Sequence, residues 1–300
     1  MVTQDGPACP FQAKVAPSRC KLPTRWHRSD EPCPLAILVG AGCPAVAVLR
    51  SVKGGAPDRV DGFELAYVTR DGEQARVALA EAWSLRLERA EPVRRFASYR
   101  GQRHLPGLWW SATDQRHVGY ESWLERDHLA AFDFDPEVVA IASQPFWLFW
   151  TSEAGKTRSH APDYFLGRGA GSAVVVDCRP VERRPSRDVA AFEATRVACE
   201  LAGWEYRLVG APDPVMTANN RRLAGYRHPR HLLAETADRL RRIFNGPVPL
   251  MDGAEEAGDP IAALPVLFHL LWRHELEADL SAPLHQATLV RPVLGPGAAV

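Results

Sequence analysis

The sequence predicts an α/β fold, a small mixed sheet flanked by helices, and three observations carry that expectation. Short alternating runs (Phe63 to Val68, Trp204 to Val209) are interspersed with longer segments of helical period, Tyr120 to Phe132 and Pro185 to Ala202. Turn signals at Asp71-Gly72 and Gly169-Ala170-Gly171 separate neighbouring strands. The composition is that of a globular chain, 46% hydrophobic over 300 residues, enough to bury one large core or two modest ones.

Residues 1–58 are expected to be disordered, or an extension upstream of the true start, because Met1 to Pro57 holds eight prolines and no periodic pattern. The apolar run Leu35 to Leu49 is fifteen residues long with Pro44 inside it, short for a membrane span. It lies behind Asp30 and Glu31, unlike a secretory signal. The chain therefore reads as cytoplasmic, with no membrane partner.

Residues 59–110 form an N-terminal β-hairpin, Phe63 to Val68 with Ala75 to Leu79, and an arginine-rich connection that ends at Gly107 to Ser111 with Trp109 and Trp110 in the core. Residues 111–230 hold the main α/β unit. Its helix, Tyr120 to Phe132, carries Tyr120, Trp123, Leu124 and Ala131 on one stripe. Val138 to Ala142 is a buried strand broken by Gln144-Pro145, and Phe146 to Trp150 is the next, too aromatic to be exposed. Ser152 to Lys156 loops back to a strand containing Asp163. Pro185-Ser186 opens a helix that Gly203 closes, and Trp204 to Val209 is a further strand. Residues 231–260 read as a helix followed by a flexible acidic linker, Asp252 to Asp259. Residues 261–300 read as a small helical region: the amphipathic stretch Ile261 to Trp272, then a second short helix and a strand.

Charge is balanced at 36 basic and 36 acidic side chains, so its distribution matters more than its sum. Six arginines between Arg86 and Arg103 face two glutamates, and seven between Arg221 and Arg242 face Glu235 and Asp238. From these stretches Arg94, Arg95, Arg100, Arg103, Arg221 and Arg222 are the candidates for contact with a DNA backbone. The six cysteines contain no C-x-x-C pair, which argues against a zinc knuckle.

The chemistry concentrates in one predicted hairpin. Asp163 and Asp177 flank the glycine turn at distances that place them opposite each other. Residues paired across antiparallel strands have Cβ atoms about 4.5–5.5 Å apart, and like charges placed there repel. A hard divalent cation relieves that repulsion, since Mg²⁺ takes one or two carboxylates together with waters and phosphate oxygens. Arg179, two residues beyond Asp177, alternates to the same face, and Cys178 to the opposite one as a buried filler.

The order Glu125, Pro162-Asp163, Asp177-Cys178-Arg179 resembles the PD-(D/E)xK nuclease pattern of a restriction-endonuclease-like core. The set Ser98 to Arg103, Tyr120 to Asp127, Phe134 to Val139, Ser143-Gln144-Pro145, His160 to Phe165 and Leu223 to Arg230 is similar to the TnsA-like endonuclease subunits of actinobacterial heteromeric transposases. The resemblance covers Gly62 to the end of the chain. It implies a metal-dependent DNA endonuclease that uses Mg²⁺ or Mn²⁺ held by Glu125, Asp163 and Asp177. Glu121, one turn from Glu125, is the alternative helix acid, and Gln144 either orients a water or satisfies backbone. Double-stranded DNA, a DDE-type transposase subunit and an ATPase regulator are the implied partners. Arg179 stands where the family pattern has lysine, and arginine is a poor proton acceptor. A stand-alone restriction or repair nuclease, and an inactive DNA-binding assembly subunit, are the competing expectations.

Overall fold

A computed structural model describes residues 62–94, 96, 105–152, 154–169, 171–180 and 186–293. Residues 1–58, Arg95 and the Ser98 to Arg103 motif with Arg100 and Arg103 lie outside the described residues.

The chain is mixed α/β. Strands β1 (Phe63–Val68) and β2 (Gln74–Ala78) form the expected hairpin, and Gly72 takes φ +84° in its turn. β3 (Gly107–Ser111) and β4 (Arg116–Tyr120) form a second hairpin that the sequence reading ran through as a connection. Helix α1 (Trp123–Phe134) starts at Ser122, whose hydroxyl accepts from the Glu125 N–H. Tyr120 therefore belongs to β4 rather than to the helix.

β5 (Val138–Ser143) pairs with β8 (Tyr164–Arg168), and β6 (Phe146–Thr151) pairs with β7 (Thr157–His160). The two pairs make one bent antiparallel ribbon. From Ser143↔Tyr164 to Leu148↔His160, five steps on one strand oppose four on the other. The extra residue falls at the Gln144-Pro145 break, where Gln144 takes φ +46°. A bulge of this kind bends a strand and re-aims its neighbours. Here it passes the ribbon from the sheet β2-β1-β6-β7 into the sheet β10-β9-β8-β5, so that β5 and β6 belong to different sheets.

β9 (Ala173–Cys178) lies antiparallel to β8, and β10 (Glu205–Val209) lies parallel to β9. Helix α2 (Ser186–Ala202) makes the crossover between them and ends at Gly203, φ +75°. One face of this sheet packs Phe165, Val175, Ala198 and Cys199 with Leu65 and Leu148 of the first sheet. The other face packs Tyr164, Val174, Val176 and Cys178 against Leu129 of α1.

Three corrections concern the C-terminal half. Helix α3 (Pro214–Ala224) went unassigned, although Asp213 caps it by accepting from the N–H groups of Val215 and Met216, with proline at the first helical position. After α4 (Ala234–Ile243), the acidic stretch expected to be a linker is largely helix α5 (Leu250–Glu256). Its polar sequence hid a packed face: Leu250, Ala254 and Ala257 are buried, and Gly253 lets the Phe244 ring approach. Beyond α6 (Pro260–Trp272), the expected second helix is replaced by β12 (Leu276–Ala278) and β13 (Leu289–Pro292). With β11 (Val248–Pro249) they form a three-stranded sheet, so the C-terminal region is not purely helical. Among the described residues no helix is long and apolar enough to cross a membrane.

Candidate functional site

The last register pair of the β8–β9 hairpin is Tyr164↔Val176. Asp163 immediately precedes β8 and Asp177 follows Val176 in β9, so that register carried one step further sets the two acids opposite each other. The Asp163 backbone is held by Gln144, whose N–H donates to its carbonyl at 2.8 Å, and its Oδ2 accepts from the Cys178 N–H at 2.7 Å. Both acids line a small pocket of about 160 Å³ with Arg94, His160, Cys178, Arg179 and Phe192.

The electrostatics of the pocket are those of crowded carboxylates. Burial, and then the negative charges of Asp177 and Glu125, push the Asp163 carboxyl well above its ordinary range. Glu125 is also raised, mainly by burial, while hydrogen bonds from the Glu121 N–H and the Ser122 hydroxyl oppose the shift. The Cys178 thiol is pushed up strongly by burial and by the same acids. It packs in the core as expected for a filler.

Asp177 is 2% exposed and held by donors the sequence reading did not assign. His160 Nε2 lies 2.9 and 3.0 Å from its two carboxylate oxygens, and the Tyr206 hydroxyl donates to Oδ2 at 2.8 Å. A signal for Tyr206 was available: its register partner is Val175, two residues from Asp177 and so on the same face. His160 sits within the motif that contains Asp163, but strand alternation alone could not carry it across the Ala161-Pro162 bend.

Glu125 stands in the first turn of α1, where its Oε1 accepts from the Ser122 hydroxyl at 2.8 Å and its Oε2 from the Glu121 N–H at 2.7 Å. With the Glu125 N–H donating to the Ser122 hydroxyl at 3.2 Å they make a variant of the capping box, in which the carboxylate takes the N–H one residue before the N-cap. Glu121 Oε2 accepts from Arg94 at 2.8 Å. The helix acid coupled to Asp163 is thus Glu125, and Glu121 is the partner of an arginine in the pocket wall.

Arg179 lines the pocket and lies 3.8 Å from Asp188 of α2. Arg221 is engaged bidentately by Asp127 at 2.9 and 2.6 Å, and Arg222 donates to the Leu284 carbonyl at 2.8 Å. Arg221 links α3 to α1, Arg222 ties α3 to the loop between β12 and β13, and both lie outside the acidic pocket. Gln144 is 1% exposed, and neither its amide oxygen nor its amide nitrogen has a hydrogen-bond partner among the described residues.

Among the described residues no three of His, Cys, Asp and Glu converge closely enough to hold a metal ion. The donor chemistry of the pair nonetheless suits a hard cation, which needs only one or two carboxylates when water and phosphate oxygens complete its shell. Asp163 Oδ1 takes part in no hydrogen bond among the described residues. Comparison with known proteins adds no relative: no protein-family model matches the chain, and no curated protein matches it.

Proposed function

We propose that the chain is a metal-dependent DNA endonuclease of the PD-(D/E)xK type and the strand-cleaving subunit of a TnsA-like heteromeric transposase. The observation that supports this reading best is the placement of Asp163 across from Asp177 in one pocket, where the Asp177 charge disfavours the Asp163 carboxylate. Repulsion of this kind is unfavourable in the isolated protein and is relieved by a cation. The TnsA-like part rests on the motif order alone.

Asp163 and Asp177 would hold Mg²⁺ or Mn²⁺, and Glu125, which does not converge with them as a third ligand in this structure, would add its negative charge to the site. When bound, the ion supplies Lewis-acid charge neutralisation at phosphorus and acidifies water. His160 and Tyr206 orient Asp177, as partners of a ligating carboxylate do. Arg94 and Arg179 place positive charge at the pocket wall, where the phosphate of a DNA strand would enter. Arginine is a poor proton acceptor, so the part proposed for Arg179 is electrostatic. The proposed partners are duplex DNA, a DDE-type transposase subunit and an ATPase regulator.

The test is nicking of supercoiled transposon-end DNA with Mn²⁺, in the presence of the transposase subunit. Cleavage by the parent chain that is lost in Asp163→Asn and Asp177→Asn is the expected result. Absence of cleavage, or equal cleavage by those variants, defeats the proposal. One observation favours a second reading, an assembly subunit that has lost chemistry: Arg179 lies within ion-pair distance of Asp188. Activity that appears only in Arg179→Lys would select it.

A further inference from the structure

A second and much larger cleft lies at the other end of the β8–β9 hairpin, about 17 Å from the acids by strand rise. Its volume is about 760 Å³, within the 300–1,000 Å³ span of small-molecule pockets. Arg86, Glu88, Arg89, Asp114, Arg168, Trp83 and Trp204 contribute to its wall.

The charged groups of the wall do not cancel. Glu88 is taken by Arg86, and Asp114 accepts from the Ile141 N–H at 2.7 Å with Arg116 3.7 Å away. Arg89 is exposed and has no ion pair among the described residues. Arg168 is the more telling residue. Its Nε is buried without a hydrogen-bond partner among the described residues, and carboxylate oxygens of Glu205 and Glu137 lie 3.7 and 3.9 Å from its Nη1. A buried N–H left unpaired costs about 1–3 kcal/mol, and native structures supply such a donor with an acceptor. Arg89 thus offers exposed donors to an anion, and Arg168, whose charge is shared with Glu205 and Glu137, keeps an Nε–H without an acceptor among the described residues.

The aromatic part of the wall is equally uneven. Trp204 is fixed edge-on to Phe165, with ring centroids 5.2 Å apart, and also packs against Phe146. Trp83 is 72% exposed and stacks on no other ring among the described residues. An exposed indole beside an exposed arginine is suited to a flat base joined to a phosphate.

We propose that this cleft binds a nucleotide, with the phosphate on Arg168 and Arg89 and the base on Trp83. The site is separate from the acidic pocket, so it stands or falls independently of nuclease activity. Equilibrium dialysis of the full chain with dAMP tests it, in EDTA so that the acids take no part. Saturable binding is expected, weakened about tenfold or more by Arg89→Glu, by Arg168→Gln and by Trp83→Ala. Inorganic phosphate should compete weakly, and adenosine should not bind measurably. Displacement of dAMP by a 5′-phosphorylated single-stranded oligonucleotide would assign the site to the end of a nucleic-acid strand. Failure of that oligonucleotide to compete would assign it to free nucleotides. Arg89 and Trp83 are exposed, so their variants retain the fold. Absence of saturable dAMP binding, or unchanged binding in both of those variants, overturns the proposal.

Discussion

Asp163→Asn should stabilise the metal-free protein while removing its response to metal. At a separation of about 5 Å and an effective dielectric constant of about 20, two opposed carboxylates repel by roughly 3 kcal/mol. Arg94 and the other cations of the pocket wall offset part of this, leaving an expected gain of about 1–2 kcal/mol. The asparagine oxygen can still accept from the Cys178 N–H, so the bond at 2.7 Å is not the difference. Burial and the neighbouring acids raise the folded-state pKa of Asp163. The stability of the parent is therefore fully present below the ordinary carboxylate range and lost as pH rises through the raised value. The advantage of asparagine should be near zero at about pH 3.5 and grow toward neutrality. Urea unfolding in EDTA across that range measures it. In the same assay, Mn²⁺ at about 100 times its dissociation constant should add about 2.7 kcal/mol to the parent, and much less to Asp163→Asn. A lower neutral-pH midpoint for the variant in EDTA, or equal protection of both proteins by Mn²⁺, would refute the shared-cation reasoning.

Three further perturbations separate site from scaffold. Tyr206→Phe removes a 2.8 Å hydrogen bond to Asp177 Oδ2 and should weaken Mn²⁺ binding about tenfold by titration calorimetry, with little change in the unfolding midpoint. Asp133→Ala should cost about 3–5 kcal/mol in urea unfolding, because it leaves buried donors unpaired. The lost carboxylate accepts from Trp109, Ser111, Ala112 and Thr113 at 2.8–3.0 Å and ties the β3–β4 turn to α1. Gly253→Ala should lower the melting temperature by several degrees, since the added carbon would sit 2.2 Å from the Phe244 ring and overpacking costs about 1–3 kcal/mol. In an exposed linker or helix the same change would be neutral or stabilising.

Elements with strong local signals were readable from the sequence, and those defined by partners were not. The hairpin at Asp71-Gly72 and the helix closed by Gly203 carry residues whose backbone preferences act within a few positions. α5 carries no such mark. Its acidic surface reads as linker until Phe244 is seen lying on Gly253, a contact made across a turn. β12 and β13 are similar, because strands of three and four residues draw their definition from pairing with each other. The division of β5 and β6 between two sheets was also hidden. It depends on the direction in which a single bulge at Gln144 turns the ribbon.

The acidic pair was legible because period-two alternation fixes which residues of a hairpin face each other, and the hairpin brings Asp163 opposite Asp177. Glu125 was only half legible. A Ser-x-x-Glu spacing before an apolar helix specifies a capping box whatever else the glutamate does, and the bonds of Glu125 to Ser122 and to the Glu121 N–H fulfil that role in a variant form. The same bonds fix the carboxylate where its charge reaches Asp163. A helix start and a third acid therefore place identical demands on position 125, and the two roles separate only by substitution. Glutamine keeps the capping acceptor and removes the charge. Glu125→Gln should accordingly preserve the unfolding midpoint within about 0.5 kcal/mol and lower Mn²⁺ affinity if the carboxylate serves the cation. An unchanged affinity would leave Glu125 as a cap alone, with Asp163 and Asp177 as the proposed ion's protein ligands.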